Sequence, residues 1–161
     1  MTETMLPLSP TADDFNVLMD RMAERHGFAQ LDTGNFEAFA AGPGDRVVLF
    51  AEDPVRVPET WDVAVVLPEV LKRLGGRLQA GVLDVASARG LAARYGFSTW
   101  PALVFLRAGA YVGAIEGMRD WDAYLREMSA MLDKPAGRAP SLGIAVRGEG
   151  TRCADTSGAC H

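Results

Sequence analysis

The stretch YGFSTWPALVFLRAGAYVGAIEG, Tyr95–Gly117, decides the fold of this chain. A turn that ends in Trp100-Pro101 leads into a predicted apolar strand over 102–106, and a tight turn leads on to a second strand over 111–116. Proline has no backbone donor, so within a sheet it stands at the first residue of a strand, at an edge or at a bulge. We therefore expect Pro101 to open a strand, and we expect a cis peptide bond before it. The tight turn implies that the two strands are antiparallel neighbours.

Outside this stretch, helix and strand patterns alternate along the chain. Alternation implies parallel strands joined by right-handed crossovers, so the predicted fold is an α/β fold with a mixed central sheet flanked by helices and an extra N-terminal helix. The predicted elements are a helix over 12–26, a strand over 28–32, a short helix that includes Phe36 and Phe39, a strand over 46–51, a helix over 61–74, a strand over 77–85, and helices over 87–95 and 120–132.

Composition limits the classes of partner. The chain has 161 residues, a net charge of −5 and 48% hydrophobic residues, which suits one domain with a sizeable core. The acidic balance disfavours nucleic acid and favours a basic protein or peptide. The N-terminus lacks a signal-peptide pattern, and no apolar run is long enough for stable membrane insertion, so we expect a cytoplasmic protein.

Three parts are expected along the chain. Residues 1–27 form a helical extension packed on the domain, residues 28–133 form the domain itself, and residues 134–161, which are rich in Gly, Pro, Ala and Ser, form a flexible tail. The tail contains both cysteines, Cys153 and Cys160, followed by His161. A metal site or a redox pair is one interpretation, but the spacing matches no standard motif. Two incidental thiols are the favoured interpretation, so no metal ligand or cofactor is assigned.

The order of these elements resembles the thioredoxin fold over about residues 28–132. VVLFAE stands where thioredoxins have the strand before their Trp-Cys-Gly-Pro-Cys motif, Pro68 matches their helix-kinking proline, and Pro101 matches their cis-proline. The segment DPVRVPETWDVAV replaces the redox motif and contains no cysteine. Thiol–disulfide exchange needs a thiolate to attack a sulfur, so the usual oxidoreductase chemistry is not expected at this position.

A narrower resemblance is carried by three segments: FNVLMDRMAERHGF, VVLFAEDPVRVPETWDVAVVLPEV and RYGFSTWPALVFLRAGAYVGAIEGMRDW. They resemble the HyaE/HupG family of hydrogenase expression proteins. The resemblance implies a non-catalytic chaperone for maturation of a [NiFe] hydrogenase. Its implied partner is the small-subunit precursor, including the twin-arginine signal peptide, and other hydrogenase maturation proteins are further candidates.

A peptide site is predicted where the acidic segment, residues 52–62, meets the Trp100-Pro101 corner. An extended peptide would pair with the backbone of Trp100 by strand addition. Carboxylates accept bidentate bonds from guanidinium groups, and tryptophans stack on them. The predicted site residues are Trp100, Pro101, Glu52, Asp53, Glu59, Trp61 and Asp62.

Plainer interpretations stand beside this one. Glu59 or Asp62 would equally serve to cap a helix and to favour its dipole, and Trp61 to fill the core. The helical spacing of Trp121 assigns it to the core.

Two other function classes stay open. One is a thiol oxidoreductase that uses the tail cysteines. The other is a structural assembly subunit that binds through its N-terminal helix or an exposed edge. Met19 and Met22 on that helix suit an adaptable contact face, and ordinary packing explains them equally well.

Overall fold

The structure, a computed structural model, describes residues 12–137, and for residues 12 and 13 the backbone alone. Helices and strands alternate through this range, as the sequence pattern predicts. The elements are α1 (Ala12–His26), β1 (Ala29–Leu31), α2 (Phe36–Ala40), β2 (Asp45–Phe50), α3 (Glu59–Arg73), β3 (Gln79–Leu83), α4 (Val85–Tyr95), β4 (Ala102–Arg107), β5 (Ala110–Glu116) and α5 (Trp121–Asp133).

The five strands form one mixed sheet in the order β1-β3-β2-β4-β5. β1 and β2 both run parallel to β3, whereas β4 runs antiparallel to both β2 and β5. Ala108 and Gly109 join β4 to β5 with φ angles of 51° and 87°, the left-handed geometry that tight hairpin turns prefer. The predicted fold class, a thioredoxin-like mixed sheet flanked by helices with an extra N-terminal helix, is confirmed.

One row of the sheet explains how distant segments of the chain meet. Leu83 of β3 pairs with Phe50 of β2, Phe50 pairs with Ala102 of β4, and Ala102 pairs with Glu116 of β5. The segments that follow β2, β3 and β5 therefore leave the sheet at the same end at which β4 begins. We call this the corner end of the sheet.

Side chains of the central strand β2 alternate between two cores. Val47 and Leu49 face the core shared with α1, α3 and α5, whereas Val48 and Phe50 face the core shared with α2 and α4. All four side chains have no exposed surface. A strand buried on both faces is the reason that this segment reads as an unbroken apolar run.

Helix α1 packs its apolar face against α3 and β1. The residues predicted for that face, Phe15, Leu18, Met19 and Met22, are all buried. Met19 and Met22 therefore pack into the core and do not offer a contact face to a partner, so the assembly-subunit alternative keeps only the exposed edge as its basis.

Several predicted boundaries shift by a few residues. The strand expected over 77–85 is limited to Gln79–Leu83, because Asp84 caps the next helix instead of extending the strand. Its Oδ1 accepts a hydrogen bond from the backbone N–H of Ser87 at 2.8 Å. Pro68 lies inside α3, as predicted. Within residues 12–137, no helix has the length and apolar character needed to span a bilayer.

Candidate peptide-binding site

The Trp100-Pro101 corner has the geometry that the sequence predicts. The Trp100–Pro101 peptide bond is cis, and Pro101 is buried directly before β4. The backbone N–H of Gly117 donates to the Pro101 carbonyl at 2.7 Å, which holds the end of β5 against the corner. Neither the backbone N–H nor the C=O of Trp100 has a hydrogen-bond partner among the described residues. One donor and one acceptor are thus available to an extended peptide.

Glu116 fixes the turn that presents Trp100. Its Oε1 accepts hydrogen bonds from the backbone N–H groups of Ser98, at 2.8 Å, and Thr99, at 2.9 Å. These bonds stabilise the charged form, so the pKa of Glu116 lies below its ordinary value, with the Ser98 bond contributing most. The backbone donors before Trp100 are therefore tied to the sheet, and the Trp100 groups are held in place.

Glu52 does not lie free in the acidic segment, contrary to the role expected from the sequence. Its carboxylate is buried and is gripped by Arg89 of α4, whose Nε lies 2.9 Å from Oε1 and 3.1 Å from Oε2. The backbone N–H of Asp53 also donates to Oε1, at 2.7 Å. A carboxylate with these partners has little capacity left for a peptide arginine. We assign Glu52 to holding the acidic segment against α4.

Burial disfavours the charged form of Glu52, whereas its hydrogen-bond partners favour that form. Burial alone would raise the pKa of this carboxyl group, but the bonds from Arg89 and the Asp53 backbone outweigh it, so the pKa lies below its ordinary value. Glu52 is therefore ionised at neutral pH and Arg89 keeps its partner.

The other three carboxylates of the acidic segment reach the surface to different degrees. Glu59 and Asp62 lie in the first turn of α3 and are exposed, whereas Asp53 is half-buried. The N-cap residue of α3 is Pro58, and no side-chain hydrogen bond caps the helix, so capping does not account for Glu59 or Asp62. Both carboxylates still favour the helix dipole from its first turn, in line with that part of the plainer interpretation. Asp53 accepts a bond from the backbone N–H of Val55 at 2.9 Å and keeps its second oxygen for other partners. Three carboxylates remain for a cationic ligand.

The tryptophans differ from the predictions in one case. Trp61, the third residue of α3, is partly buried and packs against the core, so it contributes both to packing and to the surface. Trp100 is half-buried and meets Phe97 edge-on, with ring centroids 5.0 Å apart. Trp121, which the helical spacing assigns to the core, is 41% exposed. It is the first residue of α5, and it does not belong to either core cluster.

Residues 18–124 match the family described as "Hydrogenase-1 expression protein HyaE". The chain belongs to the HyaE family.

Relatives of this HyaE-family chain include HoxO of Cupriavidus necator, a hydrogenase expression/formation protein. It is 42% identical over 164 residues, which cover 99% of each chain. HupG of Bradyrhizobium diazoefficiens is 32% identical over 76% of this chain and 85% of its own. A crystal structure of a chain described as hydrogenase expression/formation protein hupG, from Rhodopseudomonas palustris, is 36% identical, with a TM-score of 0.46, and covers 65% of this chain and 95% of that chain.

In this HyaE-family protein the structure adds residues that the sequence reasoning missed. Arg89 has no local signal, because it lies 37 residues from Glu52. Glu116 had a local signal, because pairing the residues of β5 with those of β4 outward from the tight turn places it beside the corner. Cys153, Cys160 and His161 lie outside the described residues. Within residues 12–137, no group of three or more His, Cys, Asp or Glu side chains is arranged to hold a metal ion.

Proposed function

We propose that this protein is a non-catalytic chaperone of hydrogenase maturation, which binds the small-subunit precursor in the cytoplasm through its twin-arginine signal peptide. Membership of the hydrogenase expression family supports a role in maturation. The observation that carries the finer proposal is the corner end of the sheet. Trp100, with its unpaired backbone groups, directly precedes β4 at this end. The acidic segment, with its free carboxylates, follows β2 at the same end.

Peptide capture at this end follows from two kinds of bond. The backbone N–H and C=O of Trp100 pair with an extended peptide regardless of its sequence. Asp53, Glu59 and Asp62 then select for arginine, because a guanidinium group donates two parallel bonds to one carboxylate. The first kind of bond provides affinity for any extended chain, and the second limits binding to cationic ones.

Lack of catalysis is part of the proposal. A thioredoxin-like site works through a cysteine thiolate close to the corner. The two cysteines of this chain, Cys153 and Cys160, are in the last nine positions, and neither is in the acidic segment. Neither the acidic segment nor the Trp100-Pro101 corner then contributes a thiolate that could exchange disulfides with a bound peptide.

Neutralising the acidic segment is expected to weaken peptide binding. The variant is Asp53→Asn/Glu59→Gln/Asp62→Asn, in which each amide keeps the shape and the oxygen acceptor of the acid it replaces. We expect about a tenfold loss of affinity for a twin-arginine peptide at low salt, since three exposed charge pairs together contribute about 1–2 kcal/mol. Titration calorimetry at two salt concentrations measures this, and the loss should shrink at the higher one.

A matched control separates local from overall charge. Glu24→Gln/Glu69→Gln/Asp133→Asn removes the same number of exposed carboxylates, here on α1, within α3 and at the end of α5. This control should bind the peptide almost as the unaltered protein does. Equal losses in the two variants would show that only net charge matters, and no loss in either would refute the acidic segment as the site.

A further inference from the structure

Two exposed apolar side chains lie beside the corner. Met118 is 40% exposed and Trp121 is 41% exposed. Both follow β5 at the corner end of the sheet. There Glu116 pairs with Ala102, and the backbone N–H of Gly117 donates a hydrogen bond to the Pro101 carbonyl. We call these two side chains the apolar lip.

Specific hydrogen bonds hold the backbone of the segment that carries the apolar lip. The Tyr124 hydroxyl donates to the Gly117 carbonyl at 3.3 Å and lies 3.9 Å from the Met118 sulfur. Asp120 caps α5, accepting a bond from the backbone N–H of Ala123 at 2.8 Å, which sets the position of the first helical residue, Trp121. The two side chains thus remain partly exposed although contacts of a buried tyrosine and a helix cap hold the backbone around them.

Exposure of a fixed Trp and Met pair is unfavourable for a free protein and favourable for a complex. Tryptophan and methionine are enriched at the centres of interfaces, and tryptophan is a frequent binding hot spot. Helix α3 packs against α5, so the first turn of α3, with Glu59 and Asp62, lies on the same face of the sheet as Trp121. The surface therefore presents carboxylates and apolar side chains at the same end and on the same face.

The occupant must match both halves of that surface. A cationic peptide alone leaves the lip exposed, and an apolar peptide alone leaves the carboxylates without partners. A positively charged start followed by an apolar run is the general pattern of export signals. We propose that Met118 and Trp121 bind the apolar stretch that follows the arginines of the same peptide, an inference that rests on the function proposed above.

Two peptides and two protein variants test the lip. Both peptides carry paired arginines; in one a run of leucines follows, and in the other the leucines are replaced by serines. The protein variant is Met118→Ser/Trp121→Ser, and the control is Val65→Ser, which alters a 50% exposed apolar side chain in the middle of α3. We expect the lip variant to bind the leucine peptide about five- to tenfold more weakly, a loss of about 1–1.4 kcal/mol, and the serine peptide unchanged. The control should bind both peptides normally.

The outcomes separate this inference from the proposed function. If the unaltered protein binds neither peptide, both fail. If it binds the two peptides equally, or if the lip variant loses no preference for leucine, only the lip inference is overturned and the acidic segment stands. Chemical unfolding of the lip variant checks that the fold is retained. If sedimentation shows that the unaltered protein self-associates and the lip variant does not, with the same peptide affinities, the lip is a contact between two copies and the inference is wrong.

Discussion

Replacing Phe50 by alanine is expected to lower the free energy of unfolding by about 3–5 kcal/mol. The Phe50 side chain has no exposed surface and is the last residue of the central strand β2. Its ring meets Phe36, Tyr95 and Phe97 edge-on, at centroid distances of 6.1, 5.7 and 5.2 Å. Alanine would leave a cavity among three rigid rings and remove their edge-to-face contacts. Because stability totals only about 5–15 kcal/mol in typical domains, the loss is a large share.

Urea unfolding followed by circular dichroism measures this effect. Phe39→Ala is the matched control, since that ring is only partly buried and packs at the margin of the same core. Phe39→Ala should lower the free energy of unfolding by a clearly smaller amount. Phe50→Leu keeps most of the volume and should retain most of the stability, which guards against a variant too unstable to study. Equal costs for Phe50→Ala and Phe39→Ala would contradict the packing described for this core.

Replacing Glu52 by glutamine is expected to lower the free energy of unfolding by about 2 kcal/mol at neutral pH. The amide loses the charge-assisted bonds with Arg89 while the rest of the side chain keeps its place. The figure is below that of a fully buried ion pair, because the Arg89 side chain is 46% exposed and water screens the charges. Unfolding of Glu52→Gln, Arg89→Met and the double variant gives the coupling between the two residues. Strictly additive costs would show that the pair does not stabilise the fold.

The effect of Glu52 should depend on pH in one direction. The pKa of its carboxyl group in the folded protein lies below the ordinary value of 4.5, since the bonds from Arg89 and the Asp53 backbone outweigh burial. A carboxylate with a lowered folded-state pKa stabilises the fold fully above its unfolded pKa, and loses that contribution as the pH falls through the folded value. The difference between the unaltered protein and Glu52→Gln should therefore be constant near neutral pH and shrink below about pH 4.5. A difference that grows on acidification would mean that the sign of the pKa shift is wrong.

Local patterns were enough to predict most of the architecture. The apolar run of β2, the position of Pro101 and the tight turn between β4 and β5 each depend on a few neighbouring residues, and all three are confirmed. Boundaries were less certain, because a residue such as Asp84 can extend a strand or cap a helix, and its contact with Ser87 decides between them.

The candidate site could be predicted only in part. Trp100 and the acidic segment follow from the strand before each of them, and the sheet register brings them to one end. The environment of Glu52 does not follow from its neighbours, because its partner Arg89 arrives from a different helix. Trp121 was misjudged because a helical repeat gives the direction of a side chain but not whether another element covers it.

The sequence by itself determined that this chain forms a mixed α/β sheet, opens one strand with a proline, and has no cysteine in the acidic segment. The apolar runs, the proline and the tight turn depend on residue types and on spacings of only a few positions. Only the tertiary structure decided which carboxylates are free and which apolar rings are exposed. Charge pairing and burial depend on contacts between segments far apart in the chain. For this reason the Glu52 carboxylate is paired with Arg89, whereas the Trp121 side chain is partly exposed.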